Sequence, residues 1–446
     1  VFDTVLVANR GEIALRVVRS CQEMGIRTVV VHSTADADSA AVRAADVAVQ
    51  IGPPPARRSY LFAPALVEAA LATGAQAVHP GYGFLSEDPD FAEICADNGL
   101  VFVGPPPEVM ARLGDKASAR AAMAEAGLPL LPGSRSTVDS AAEATALAAE
   151  IGYPVIIKAT AGGGGRGMTV VRDPRDLAKA YRSTRAVGQA VFGNSSVYME
   201  RFCESARHVE VQVLADSYGE VVHLGERDCS VQRRHQKLIE ESPAPELPES
   251  LRRRMAEASV AGAKAVGYVG AGTFEYLVVD DEFYFMEINC RIQVEHPVTE
   301  MVTGIDLVRE QLRVAAGLPL SLEFDGRGVS LECRVNAEDP DRDYLPAAGL
   351  IDEFVPPGGP FTRVDTHARA GWRISPDYDS LLAKVVVWAP DRPQAVARMR
   401  RALSEFRITG KGIRTTIPAL LRILDTPEFV KGVHDTSLIS KLGTAT

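Results

Sequence analysis

The sequence contains no apolar run longer than a strand, so no segment reads as a membrane-crossing helix. Its beginning, VFDTVLVANRGE, has no basic stretch followed by an apolar core, and no secretory signal is read there. The six cysteines (Cys21, Cys95, Cys203, Cys229, Cys290 and Cys333) never fall in Cys-x-x-Cys spacing, which fits free thiols in a reducing cytoplasm. Basic charge is not in excess: 48 Lys and Arg stand against 58 Asp and Glu, a net charge of −10. The two signs are interleaved, which argues against nucleic acid as the main partner. A local basic site for an anionic substrate remains compatible with that balance. Internal repeats and low-complexity tails are also missing.

What is present is a globular composition, 46% hydrophobic over 446 residues. That length is too great for one core and suits roughly two to four domains. Residues 1–114 alternate apolar runs (TVLVA, RTVVVH, QAVHP, LVFVGPP) with amphipathic stretches, the punctuation of a parallel sheet flanked by helices. Gly11 follows the first strand, but the second and third glycines of a dinucleotide fingerprint are lacking, so a strand-to-helix turn is the better reading. An alanine-rich helix is expected near 115–127. A small module follows at 152–204, then strands HVEVQVLAD and EVVHLGERD, a polar charged loop over 226–245, and a helix near 248–267. From about 325 the strands are shorter and separated by Pro and Gly turns, with two helices near 391–407 and 415–425.

The small module holds IIKATAGGGGRGM, residues 156–168. A Walker loop would end its glycine run with Gly-Lys-Ser/Thr. Here the run ends Arg-Gly-Met, and Lys158 precedes it. Strands flank both sides, so the run reads as the tip of a hairpin on a lid. Its glycines, among them Gly163, Gly164 and Gly165, are then suited to laying bare backbone N–H groups over phosphates.

Residues 273–297, TFEYLVVDDEFYFMEINCRIQVEHP, carry the densest chemistry. If Asp280 to Glu282 form an odd-numbered loop, Glu275 stands opposite Glu287 with both side chains on one face. A two-residue loop would separate them onto opposite faces. Opposed carboxylates need a cation or a proton between them, and magnesium, with Asn289 as a third oxygen donor, is economical. A solvated acidic hairpin is the alternative. Continued extension from Glu287 would align Asn289, Arg291, Gln293 and Glu295 on one face. In that stripe Arg291 is suited to a planar anion and Glu295 to a general base, against a plain ion pair between the two. Lys116, before a helix, and Lys158, on a strand, are isolated cations suited to phosphates or merely snorkelling at a surface.

The motifs VLVANRGEIALRV, VHPGYGFLSED, GDKASAR, IIKATAGGGGRGM, ERDCSVQRRHQK, GTFEY, FMEINCRIQVEHPVTEM and ECRVNAEDP, spread over the whole chain, resemble those of the biotin carboxylase family. The resemblance implies an α/β and α+β fold in three parts. These are a Rossmann-like N-terminal domain (1–114), an ATP-grasp domain (115–324, lid about 131–204) and a C-terminal α+β domain (325–446). It implies ATP- and bicarbonate-dependent carboxylation of biotin through carboxyphosphate, with Mg2+ or Mn2+ and with biotin borne on a separate carrier protein. By resemblance, Glu295 deprotonates bicarbonate, and Lys237, Arg291, Gln293 and the Val294 amide hold it. Arg334 faces the biotin ureido oxygen and Tyr82 lies where biotin approaches. Lys116, Lys158, His208, Gln232 and His235 contact nucleotide, and Glu200, Arg201, Phe202 and Cys203 border the adenine. Glu275, Glu287 and Asn289 bind the metal.

The same resemblance implies a biotin carboxyl carrier protein, a carboxyltransferase subunit and a homodimer as partners, in the cytoplasm, with neither nucleic acid nor membrane. Departures from the family pattern are Cys290, Cys203 and Pro360, the last where some members carry an aromatic at a dimer contact. No Met-Lys-Met biotinylation site is present, so the chain is not expected to carry its own biotin; it reads as a free-standing subunit acting on a separate carrier, or as a fragment of a longer subunit, with the first preferred. Another ATP-grasp ligase forming an acylphosphate, and an inactive nucleotide-binding scaffold, are the competing readings.

Overall fold

A computed structural model describes residues 1–134, 136–161 and 167–443. The apolar runs of the N-terminal part form a five-stranded parallel sheet. Its spatial order is Val47–Gly52, Arg27–Ser33, Thr4–Val7, Ala77–His79, Val101–Phe102. Chain order reverses between Thr4–Val7 and Ala77–His79, so the loops leaving those two strands diverge and open a crevice. The helix Gly11–Glu23 starts at once after the first strand, with Gly11 at φ 69°, a conformation that glycine adopts without steric cost.

The alanine-rich helix spans Lys116–Glu125 and is capped by Asp115, whose carboxylate accepts from the Ser118 N–H at 2.8 Å. Lys116, expected just before this helix, is its first residue. The helix buries Ala119, Ala122 and Met123 against a core containing Phe274, Tyr276 and Phe285. Each of these aromatic side chains contributes about 1.5–3 kcal/mol over exposure. Helix Glu249–Ala265 closes on the same core through Gly262, where a Cβ would come within 2.9 Å of Met123 Sδ and Phe274.

The small module is a three-stranded antiparallel sheet, with Val155–Ala159 between Met168–Val171 and Val197–Arg201. Lys158 pairs with Met168, so the strands on either side of the glycine run are hairpin partners. Helices Ala141–Ile151 and Leu177–Phe192 cover it, their apolar faces meeting Val155, Ile157 and Met199.

An eight-stranded sheet runs from Glu282–Asn289 through Gly270–Val279, Arg207–Ala215, Val221–Arg233, Gln236–Ser242, Val329–Asn336 and Leu381–Ala389 to Thr362–Thr366. It is continuous across the expected division at 324/325, because Gln236–Ser242 pairs with Val329–Asn336. The segment expected as a charged loop over 226–245 is instead largely a hairpin of this sheet. Its turn residues Arg234 (φ 49°) and His235 (φ 65°) are both left-handed without being glycine. Such residues cost about 1–2 kcal/mol each. Arg234 is held by Asp343 at 3.0 Å, and Arg233 stacks over Tyr344 at 4.4 Å. Helices Arg392–Glu405 and Ile417–Leu424 stand as expected, and two short ones, Pro427–Lys431 and Leu438–Gly443, follow them. No helix among the described residues is long and apolar enough to cross a membrane.

Candidate functional site

A cavity of about 500 Å3 opens where the eight-stranded sheet faces the small module and the N-terminal sheet. Glu275 does face Glu287 across the hairpin, but not by the expected route. The loop is two residues, Asp280 and Asp281, and near the turn Val279 pairs with Glu282 and Tyr276 with Phe285. Met286 is an extra residue in the returning strand, and this bulge shifts the register so that Glu275 opposes Glu287. The expected odd-numbered loop is thus corrected to an even loop plus a bulge.

The expected extended stripe also stops early. The strand ends at Asn289, and Glu295 sits just ahead of helix His296–Thr303 with φ −81° and ψ 9°. The polar side chains converge nonetheless, through hydrogen bonds. Arg291 donates to Asn289 Oδ1 at 3.1 Å and Gln293 Oε1 at 2.9 Å, and Gln293 Nε2 donates to Glu275 Oε1 at 3.0 Å. Arg291 and Glu295 do not form the ion pair weighed above. Arg291 instead pairs with Glu87 at 2.9 Å.

Glu295 belongs to a buried charge cluster centred on Lys237. Lys237 Nζ lies 2.6 Å from Glu210, 3.0 Å from Glu275 and 2.6 Å from Glu295. Arg334 contacts Glu295 at 2.9 Å and Glu240 at 2.5 Å. Arg227, fully buried, donates to Glu210 at 2.6 Å and Gln212 at 2.7 Å. Burial favours the neutral carboxyl of Glu295, but Lys237, Arg334 and Arg227 outweigh it and hold the group well below the usual carboxylate range. Burial likewise opposes the charge on Lys237, and the surrounding acidic groups hold it well above the ordinary lysine value. Glu275 is kept ionised against burial by Lys237 and His208, the latter at 3.1 Å.

Glu240 and Glu332 form a different pair. They are directly opposed on neighbouring strands and both fully buried. Burial pushes the Glu240 carboxyl up to about 7 despite Arg334, and Glu332 well above the usual range despite Lys384.

On the opposite wall, Lys116 pairs with Glu287 at 2.7 Å, and Lys158 with Glu200 at 2.5 Å. Arg120 also pairs with Glu200. Gln232 Nε2 lies 3.3 Å from His208 Nδ1, and His235 lines the cavity from its turn. The Val294 carbonyl accepts from the fully buried Lys384 at 2.9 Å. Tyr82 lines the cavity and donates its hydroxyl proton to Glu12.

Arg201, Phe202 and Cys203 are not brought to this cavity. The Arg201 guanidinium turns to the Ile151 carbonyl at 3.0 Å, and Cys203 is the one cysteine of the six that is not buried. Gly163, Gly164 and Gly165 lie outside the described residues. Among the described residues, the groups whose ligand atoms gather within 4.8 Å are His208, Glu210 and Glu275, and Glu210, Cys229 and Glu295. Glu287 is in neither, and its carboxylate pairs with Lys116 at 2.7 Å.

Glu210, Arg227, Glu240, Glu87 and Arg120 are members of this network that the sequence reading did not assign. A signal existed for one: in HVEVQVLAD, His208, Glu210 and Gln212 alternate with valines, a polar stripe on one face of a strand.

Comparison with known proteins gives consistent matches. Residues 1–110 match the family described as "Biotin carboxylase, N-terminal domain". Residues 115–323 match "Carbamoyl-phosphate synthase L chain, ATP binding domain", and residues 332–441 "Biotin carboxylase C-terminal domain". A biotin carboxylase of Nostoc sp. is 53% identical, covering 99% of both chains. A crystal structure of a biotin carboxylase–beta-gamma-ATP complex from Campylobacter jejuni superposes with a TM-score of 0.96 at 47% identity, covering 99% of both chains. The biotin carboxylase domain dimer of a Hydrogenobacter thermophilus 2-oxoglutarate carboxylase, solved with MgADP, ADP and bicarbonate, gives 0.96 at 44% identity, covering 99% of this chain and 98% of that one.

Proposed function

The chain belongs to the biotin carboxylase family, and on that premise we propose how its cleft carries out the reaction. Its fold is that of the family, with an N-terminal α/β part, a central ATP-grasp part and a C-terminal part. We divide them at 1–114, 115–324 and 325–446. The protein is an ATP-dependent ligase that carboxylates biotin.

The Lys237–Glu295–Arg334 constellation carries the assignment. Glu295 is ionised, the form a base requires, and stands buried between two cations. It takes the bicarbonate proton, while Lys237, Arg291, Gln293 and the Val294 N–H hold the anion. The freed oxygen attacks the γ-phosphorus of ATP, and ADP departs, leaving carboxyphosphate. Carboxyphosphate splits into CO2 and phosphate, the phosphate accepts the N1 proton of biotin, and the enolate captures CO2. Arg334 stabilises the charge that develops on the ureido oxygen. Tyr82 borders the approach of biotin.

Lys116, Lys158, His208, Gln232 and His235 hold the nucleotide. We place its base beside the end of the strand at Glu200, with the backbone of Arg201 to Cys203 as its border, since the side chains of those three residues do not line the cavity. We place a divalent cation where two carboxylates stand directly opposed, Glu275 beside Lys237 and His208 and Glu287 beside Lys116. Glu275, Glu287 and Asn289 offer hard oxygen donors and would hold Mg2+ or Mn2+. When bound, that ion supplies charge neutralisation for the phosphates.

Biotin arrives on a separate carrier protein, a carboxyltransferase uses the product on an acyl-CoA, and the subunit forms a homodimer in the cytoplasm. The central match alone would also suit a carbamoyl-phosphate ligase. Bicarbonate-dependent ADP release stimulated by biotin distinguishes the two, and ATP cleavage indifferent to biotin would overturn the assignment.

A further inference from the structure

Arg291 stands on the wall between two cavities. It lines the main cleft, and it also lines a smaller cavity of about 300 Å3 between the N-terminal part and the strand Glu282–Asn289. Glu87, Lys116 and Glu287 border that second space, and Glu87 does not line the main cleft. A guanidinium on a long stem beside an open cavity has room to turn away from the cleft. Its direction therefore has to come from its partners.

Among the described residues, Arg291 Nε donates to Glu87 Oε2 at 2.9 Å, and Nη2 donates to Asn289 Oδ1 at 3.1 Å. Nη1 donates to Gln293 Oε1 at 2.9 Å and to the Ile292 carbonyl at 3.3 Å. An arginine side chain has five N–H donors, so one N–H of Nη2 is left for an incoming anion. Asn289, Ile292 and Gln293 are near neighbours of Arg291 in the chain and move with the same segment. Glu87 is the one carboxylate among these partners, and the one supplied by a separate part of the chain.

Glu87 also fixes the backbone at this point. Its other oxygen, Oε1, accepts at 2.9 Å from the N–H of Cys290, the first residue beyond the strand. One carboxylate thus clamps both the Cys290 peptide and the Nε edge of a rigid planar fork. Glu87 is itself anchored from both sides. The turn before it is closed by the Ser86 N–H, which donates to the Gly83 carbonyl at 3.0 Å, and Leu85 and Ser86 are buried. Just after it, Asp88 caps helix Pro89–Asp97 by accepting from the Phe91 N–H at 3.0 Å, and Phe91 lies in the core of the N-terminal part. A carboxylate held in this way can fix the aim of a neighbouring side chain.

We propose that Glu87 is a positioning residue for bicarbonate: it holds the Arg291 guanidinium toward the main cleft and keeps it from turning into the cavity behind. The inference rests on the biotin carboxylase reading above, in which Arg291 holds the anion. Glu87 lies outside the cleft and acts through Arg291.

The test measures bicarbonate-dependent ADP release at saturating biotin, with KM for bicarbonate and KM for ATP determined separately. Glu87→Ala should raise KM for bicarbonate by about ten-fold, the scale of one hydrogen bond to a charged group. KM for ATP should stay within about two-fold, the margin for sites that do not interact. Glu87→Gln keeps an acceptor without the charge and should raise KM for bicarbonate by about three-fold, since a neutral acceptor makes a bond roughly half as strong. In an Arg291→Lys background, which has no Nε edge to hold, Glu87→Ala should move KM for bicarbonate by no more than about two-fold.

An unchanged KM for bicarbonate in Glu87→Ala overturns the positioning role. So does a parallel rise of both KM values, which a plain tie between the two parts of the chain would give. A full-sized rise in the Arg291→Lys background overturns it as well, because Glu87 would then act by another route. If Glu87→Ala does not fold, Glu87→Gln decides, and a wild-type KM for bicarbonate in that variant overturns the proposal. ADP release by the wild-type protein that is indifferent to bicarbonate would instead remove the functional assignment, and this inference with it.

Discussion

Glu275 and Glu287 face one another because Met286 is an extra residue in its strand. Without the bulge, the two-residue turn at Asp280 and Asp281 would place Glu287 on the other face of the sheet. Two carboxylates are thereby set side by side, one already held by Lys237 and His208 and the other by Lys116.

Glu287→Gln keeps the shape of that arrangement and removes one charge. The Mg2+ concentration for half-maximal ATP cleavage should rise on the order of ten- to hundred-fold. A Mg2+ titration of ADP release checks this, and an unchanged midpoint would take Glu287 out of the metal set.

Glu295→Gln should leave nucleotide binding intact and lower bicarbonate-dependent turnover by about 10²–10⁴-fold, the range for loss of a general base. Calorimetric titration with ATP, alongside turnover, separates the two effects. Turnover at the wild-type rate would show that Glu295 is not the base.

Glu240 sets a pH dependence of stability. Burial holds its carboxyl at about 7 in the folded protein, against 4.5 for an ordinary glutamate, while Arg334 pulls it down and Glu295 pushes it up. The folded state binds that proton more tightly than the unfolded chain. Its contribution is therefore complete below about pH 4.5 and lost as pH rises through about 7. A shift of that size corresponds to on the order of 3 kcal/mol. Glu240→Gln should flatten the fall in Tm between pH 5 and pH 8. Parallel wild-type and variant curves would show that the carboxyl does not carry the proton.

Lys384→Met should cost roughly 3–5 kcal/mol, because Glu12 would be left buried without its cation. The same change removes the donor to the Val294 carbonyl, so KM for bicarbonate should rise. Urea unfolding and bicarbonate saturation curves check the two effects. Stability within about 0.5 kcal/mol of wild type, the margin of an ordinary surface substitution, would mean that the pair is dispensable.

Much of this protein could be read locally. The parallel N-terminal sheet, the alanine-rich helix behind Asp115 and the strands flanking the glycine run follow from apolar periodicity and capping, which act over a few residues. The polar identities at Glu275, Glu287, Asn289, Arg291, Gln293 and Glu295 were equally visible in the sequence. Their partners were not. Lys237 meets three carboxylates drawn from three separate strands or loops, and Arg334 reaches Glu295 from a strand beyond the expected domain division. Segment 226–245 reads as a solvated loop because its charges are dense. The structure instead buries Arg227 completely, since Glu210 and Gln212 wait on the neighbouring strand. Periodicity reports which face a side chain takes. Only the packed sheet decides which charge stands opposite it, because a buried ion persists only where a distant segment supplies its counter-charge.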